Sequence, residues 1–135
     1  MSKILRLTDR INLEIGDITF VLAPLSYYQK QEIASCTRIV NGEETFDLMR
    51  AQFLYIKNGL KEVKGVTGFD DNPYELEFEG DILTDNCVSE IMNLEQREKL
   101  NIAAWQLLNG IKDLTDPVTG EELEGVKLEV KSQGK

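Results

Sequence analysis

The sequence predicts a single α+β domain from three observations. Apolar residues alternate with period two over residues 3–22. They recur with helical spacing over 44–60 and 100–111. Turn or capping residues stand at nearly every change of period. The expected order is an N-terminal β-hairpin, a helical hairpin, a second β-hairpin, two C-terminal helices and an extended tail. Residues 1–111 then form the domain, and 112–135 an extended polar tail.

Within 3–22, Ile11, Leu13 and Ile15 alternate with Asn12 and Glu14. Gly16-Asp17 is a turn signal, and Ile18, Phe20 and Leu22 resume the alternation in a return strand. Pro24 stops that strand because it has no N–H for a ladder. Ser26 with Gln29 has capping-box spacing, which predicts a helix over 27–40 with Ile33, Cys36 and Val40 on one face and Asn41-Gly42 as its C-cap. A second helix is predicted over 44–58, with Phe46, Met49, Phe53, Ile56 and Leu60 as its stripe and Gly59 at the cap. The short turn between them implies an antiparallel helical hairpin.

Residues 61–80 return to period two. Val63 and Val66 lead into the turn-rich Gly68–Pro73, and Tyr74, Leu76 and Phe78 alternate with Glu75, Glu77 and Glu79, which predicts a second hairpin closed by Gly80-Asp81. Thr84 caps a short helix over 84–92, with Leu83 and Val88 as a hydrophobic staple. Asn93 and Gln96 have capping-box spacing for a helix over 94–109, striped by Leu100, Ala103, Ala104, Leu107, Leu108 and Ile111 and ended by Gly110. Beyond the Asp116–Gly120 turn only Leu123, Val126, Leu128 and Val130 are apolar. The last three alternate, as a strand docking on a partner's sheet edge would. Alone, such a tail buries too little to offset its ordering entropy.

Composition narrows function. At 135 residues, 41% hydrophobic and 29% charged, the chain is of globular type. The N-terminus lacks the apolar block of a signal peptide, and the Phe20–Leu25 run is too short to span a bilayer. Cys36 and Cys87 show no disulfide or zinc spacing. The net charge is −9, and residues 65–96 carry no Lys or Arg among Asp70, Asp71, Glu75, Glu77, Glu79, Asp81, Asp85, Glu90 and Glu95. Such a surface repels phosphates, so nucleic-acid and membrane partners are not expected, and a basic or apolar protein partner is.

Catalytic signatures are missing from the pattern. The chain has no histidine, the commonest general base and metal ligand. Neither cysteine has basic neighbours to lower a thiol pKa, and no glycine-rich phosphate loop is present. Asp70, Asp71, Asn72 and Glu75 depart from a calcium loop because Pro73 intrudes and the glycine of the tight turn is missing. No enzymatic activity, metal or cofactor is therefore expected. Trp105 stands beside the apolar stripe of its helix, at a core edge or as an interface anchor. Of the adjacent tyrosines, Tyr28 is expected to lean on the core and Tyr27 to face outward as a contact residue. Tyr27, Trp105, Val126, Leu128 and Val130 are the candidate partner-binding residues.

The opening hairpin running into Pro24-Leu25-Ser26, the Leu83-Thr84-Asp85 helix start, the Gln96-Arg97-Glu98 helix and the Asp116-Pro117-Val118-Thr119-Gly120 tail together resemble the small tail-assembly chaperones of long-tailed bacteriophages. The resemblance covers most of residues 16–111. It implies a non-enzymatic protein of the host cytoplasm that sheathes a tape-measure-type tail protein during morphogenesis. It further implies other phage proteins as partners and leaves self-association open. The alternatives are a virion component (connector, tail or decoration protein) and, third, an acidic inhibitor or regulator that mimics a polyanion.

Overall fold

The computed structural model describes residues 4–108 and 119–131. Their architecture is α+β, built on a four-stranded antiparallel sheet. The opening hairpin forms with strands β1 (Arg10–Ile15) and β2 (Ile18–Leu22), joined at Gly16-Asp17. Register pairs Ile11 with Leu22, Leu13 with Phe20 and Ile15 with Ile18, so all six point to one face and are buried. This is how a period-2 sequence becomes one wall of a core.

Four expectations need correction. Helix α1 begins at the Ser26 capping box as predicted but spans only Tyr27–Ala34. The next residues form a hairpin of β3 (Thr37–Val40) and β4 (Glu43–Phe46). Asn41 and Gly42 are its two-residue turn, both at positive φ (52° and 80°), and not a helix cap. The physical reason is that Asn-Gly flanked by β-branched residues is a stronger hairpin signal than a helix terminus. Helix α2 consequently starts later, at Leu48–Gly59, capped by Asp47, and the two helices are joined by a ribbon and not by a tight turn.

The second correction concerns 61–80. Strand β5 (Leu60–Lys64) pairs with β2 as an edge of the main sheet, with an irregularity at Val21/Leu22. Gly65 leaves that strand at φ 89°, where a Cβ would stand 2.4 Å from the Asp17 carbonyl oxygen, so only glycine fits the close approach. The turn over Gly68–Pro73 is closed as expected by the antiparallel Thr67–Pro73 bridge and the Tyr74 N–H bond to the Val66 carbonyl at 2.9 Å. The pairing stops there, and Tyr74 and Leu76 rest on the core. Gly80-Asp81 instead turns a minimal hairpin of β6 (Phe78–Glu79) and β7 (Ile82–Leu83).

The third concerns the tail. Val126–Lys131 forms β8, which pairs with β1 over its whole length, giving the sheet order β5-β2-β1-β8. The strand does take a sheet edge, but the edge belongs to its own domain. Val126 and Leu128 pack on the core, and Leu123 is buried in it. Fourth, Tyr28 does not lean on the core: both tyrosines are exposed, edge to face at 6.1 Å.

Helix α3 (Asp85–Ile91) starts at Thr84, with Leu83 and Val88 fully buried as the staple requires. Helix α4 spans Arg97–Leu108, beginning later than the Asn93 spacing suggested. The Gly110 cap, Ile111 and the Asp116–Val118 part of the turn lie outside the described residues. The main core joins the sheet's inner face to Leu83, Cys87, Val88, Ile91, Leu100, Ala103, Ala104 and Leu107. Helix α2 is shared. Its Ile56, with Leu60 just beyond, enters the main core, while Ala51, Leu54 and Tyr55 enter a second, smaller cluster with Leu25 and Ile33. The stripe therefore lies one step around the helix from the predicted one: Phe53 is only partly buried and Met49 is 79% exposed.

Candidate functional site

The smaller cluster carries the molecule's most unusual feature. All eight residues of β3 and β4 are exposed, Ile39 at 76%. The hairpin is an arm with no buried residue, touching its own domain through Phe46 at its base. Its base is fixed from two sides. The Asp47 N–H donates to the Cys36 carbonyl at 3.0 Å, closing the ladder next to the Thr37–Phe46 pair. Phe46 meets the Trp105 ring edge-on at 6.0 Å, and Trp105 meets Tyr55 at 4.8 Å. Further out, the Thr37 hydroxyl donates to Glu44 Oε1 at 3.0 Å, as neighbours on one face of the ribbon can.

Cys36 sits where α1 passes into the arm. Burial, partly offset by Arg50, raises its pKa, so the thiol stays protonated and makes a weak contact to the Glu32 carbonyl at 3.6 Å. Its side chain packs against the smaller cluster. Ile39, Val40, Phe46, Leu48 and Met49 are exposed apolar residues of the arm and the adjoining first turn of α2. By register Ile39 and Phe46 share one face of the ribbon and Val40 lies on the other.

Sequence reasoning placed Trp105 correctly at a core edge, where it acts as the pier under the arm. Tyr27 is exposed but elsewhere. Gln29 bonds Asn58 at 3.4 Å, so the start of α1 lies beside the end of α2, whereas the arm springs from the end of α1 and the start of α2. Val130 is half-exposed on β8. The structure therefore does not gather Tyr27, Trp105 and the β8 residues into one site. The arm residues were missed, although Asn41-Gly42 between Thr37-Arg-Ile-Val40 and Glu43-Glu-Thr-Phe46 was the signal that could have found them.

Other sites offer less chemistry. A cleft of about 440 Å³ is lined by Arg10, Ser26, Gln29, Asn58, Lys61 and Asp81 among others. Its polar groups are engaged with one another: Ser26 with Gln29, Gln29 with Asn58, and Lys61 with the Asp81 carbonyl. The Tyr74 hydroxyl donates to Glu90 Oε1 at 2.8 Å and lies 3.3 Å from the Cys87 sulfur. Burial, followed by these contacts, pushes its pKa well above the ordinary phenol value, so it is a latch between loop and α3. Among the described residues no cluster of three or more His, Cys, Asp or Glu side chains is placed to hold a metal ion, and no helix is long and apolar enough to cross a membrane. No family model matches the chain, and neither a curated protein nor a solved structure matches it significantly.

Proposed function

We propose that this protein is a non-enzymatic assembly factor that offers the β3–β4 arm to another protein. In the terms of the resemblance above, it is a bacteriophage tail-assembly chaperone acting on a tape-measure-type protein in the host cytoplasm. The observation that carries the reading is the arm itself. A two-stranded ribbon that buries no residue is marginal in water, yet this one is anchored by an aromatic pier and displays apolar side chains. Both of its outer edges also carry unpaired main-chain groups, to which an extended segment can add.

The test is co-expression with the tape-measure protein of the same genome. The expected result is that the long protein moves from the insoluble to the soluble fraction and co-purifies with this chain. Ile39→Asp should abolish this while leaving the far-ultraviolet spectrum unchanged. Co-purification unaffected by Ile39→Asp would remove the arm from the reading. Many copies of the chain in purified particles would replace the chaperone with a virion component.

A further inference from the structure

A cleft on the outer face of the four-stranded sheet gathers cations, and the loop after β5 gathers carboxylates. On the sheet, Arg10 and Lys131 are direct register partners on adjacent strands, two cations facing each other. Like charges so placed cost a sheet stability unless something anionic covers them. Lys61 and Lys64 join them around a cleft of about 300 Å³ whose lining also includes Asn12, Val21 and one carboxylate, Glu62, so cations outnumber acids there. Carboxylates reach this cluster only loosely, Glu62 at 3.7 Å from Lys64 and Glu129 at 3.8 Å from Lys131. Arg10 gives its Nη1 hydrogen bonds to the Leu7 and Asp9 carbonyls, and among the described residues it has no ion pair.

Beyond Lys64, and past Gly65 where the chain crosses the β1–β2 turn, residues 68–72 form a tight knob. Gly68 N–H donates to Asn72 O at 2.9 Å, Asp71 N–H to Gly68 O at 3.0 Å, and Asn72 N–H to Asp70 Oδ1 at 3.1 Å. These last contacts hold the Asp70 carboxyl below its ordinary pKa. Phe69 stands fully exposed at the tip, flanked by Asp70 and Asp71. The stretch 65–96 holds no cation to neutralise it.

We propose that the Phe69–Asp71 knob of one copy docks into the Arg10–Lys61–Lys64–Lys131 cleft of a second copy. The ring lies over Val21 and beneath the cations, which attract its face, and the aspartates face the lysines. Because the two surfaces differ, the contact is head-to-tail and propagates into a ring or filament. The arm takes no part, so this contact is independent of the function proposed above.

Sedimentation and light scattering test it. At about 20 mM salt the chain should assemble beyond a dimer with rising concentration, and at about 500 mM it should fall to monomer. Lys64→Glu with Lys131→Glu breaks the cleft, and Phe69→Lys breaks the knob. All three positions are exposed, and circular dichroism checks the fold. Each variant alone should be monomeric, while an equimolar mixture should give a one-to-one dimer and nothing larger. Ile39→Asp should assemble like the parent chain. A monomer at low salt, a closed dimer indifferent to these changes, or a mixture that stays monomeric would each overturn the proposal. A low-salt monomer that binds a poly-glutamate peptide would assign the cleft to an acidic partner instead, with the same consequence.

Discussion

The four-stranded sheet and the β3–β4 arm use the same antiparallel ladder for different ends. In the sheet, the cross-strand pairs Leu13–Phe20 and Ile11–Leu22 are fully buried beneath α2, α3 and α4. In the arm, Ile39 stands opposite Glu44 and Val40 opposite Glu43, and solvent reaches all four. Main-chain pairing is thus common to both, and what separates them is what lies on the face. Apolar area removed from water stabilises the sheet, whereas the arm's apolar area is left for whatever binds it. The proposed function makes stability and recognition separable in this molecule, and each variant below tests that separation.

The largest effect is expected in the sheet. Phe20 is fully buried between Leu13 and Val63, its register partners on either side, so Phe20→Ala should lower unfolding free energy by about 3–5 kcal/mol in urea melts. A loss as small as that of an arm variant would erase the distinction. Leu128→Asp is next. Leu128 faces Leu13 across the β1–β8 ladder and rests on the core, so a charge there should cost about 2–3 kcal/mol. A neutral result would mean that β8 contributes no packing to the sheet.

How far the sequence foretold this division depended on distance along the chain. The β1–β2 hairpin, the Ser26 capping box and the Thr84 cap with its Leu83–Val88 staple were legible because every partner lies within a few residues. The destination of β8 was not, since alternation in Val126-Leu128-Val130 marks a strand without saying whose edge it meets, and β1 is more than a hundred residues away. The arm was lost to a competing period. Ile33, Cys36 and Val40 fit a helical face, but the β-branched residues around Asn41-Gly42 favour the hairpin. Of the expected partner residues, Trp105 lies at the core edge its spacing indicated and supports the arm without belonging to it.

The joint between the two regions gives an intermediate effect. Trp105 links Tyr55 in the smaller cluster to Phe46 in the arm, so Trp105→Ala should cost about 2 kcal/mol globally and speed amide exchange throughout Thr37–Phe46. Global loss without faster exchange in the arm would show that the ribbon stands without its pier. Gly42→Val should act only locally. At φ 80° a β-branched residue is strained by about 1–2 kcal/mol, which opens the turn. Because the arm buries nothing, the urea midpoint should stay put while exchange at Val40–Glu43 rises.

The smallest effect is an acid titration that reaches the main core and bypasses the arm. Lys57 on α2 bonds Asp85 in the first turn of α3, clipping the two helices together outside the main core. The hydrogen bond and the charge of Lys57 hold the Asp85 pKa below its ordinary value of 3.8. A carboxyl depressed in the folded state contributes stability that is complete above the unfolded value and is lost as pH falls through the folded one. The contribution should therefore be constant from neutrality to about pH 4.5 and fade below the ordinary carboxylate range. Asp85 is largely exposed, so the change is that of a surface pair and should weaken further in high salt. Comparing the Tm of the parent with that of Asp85→Asn at about pH 6 and about pH 3 isolates it, because the variant's deficit at the higher pH should shrink at the lower. Amide exchange in the arm, corrected for its intrinsic pH dependence, should be identical in the two proteins at both values. A deficit that does not shrink at all between these values would mean that Asp85 does not act through its charge on Lys57, and the clip between the helices would have to be assigned elsewhere.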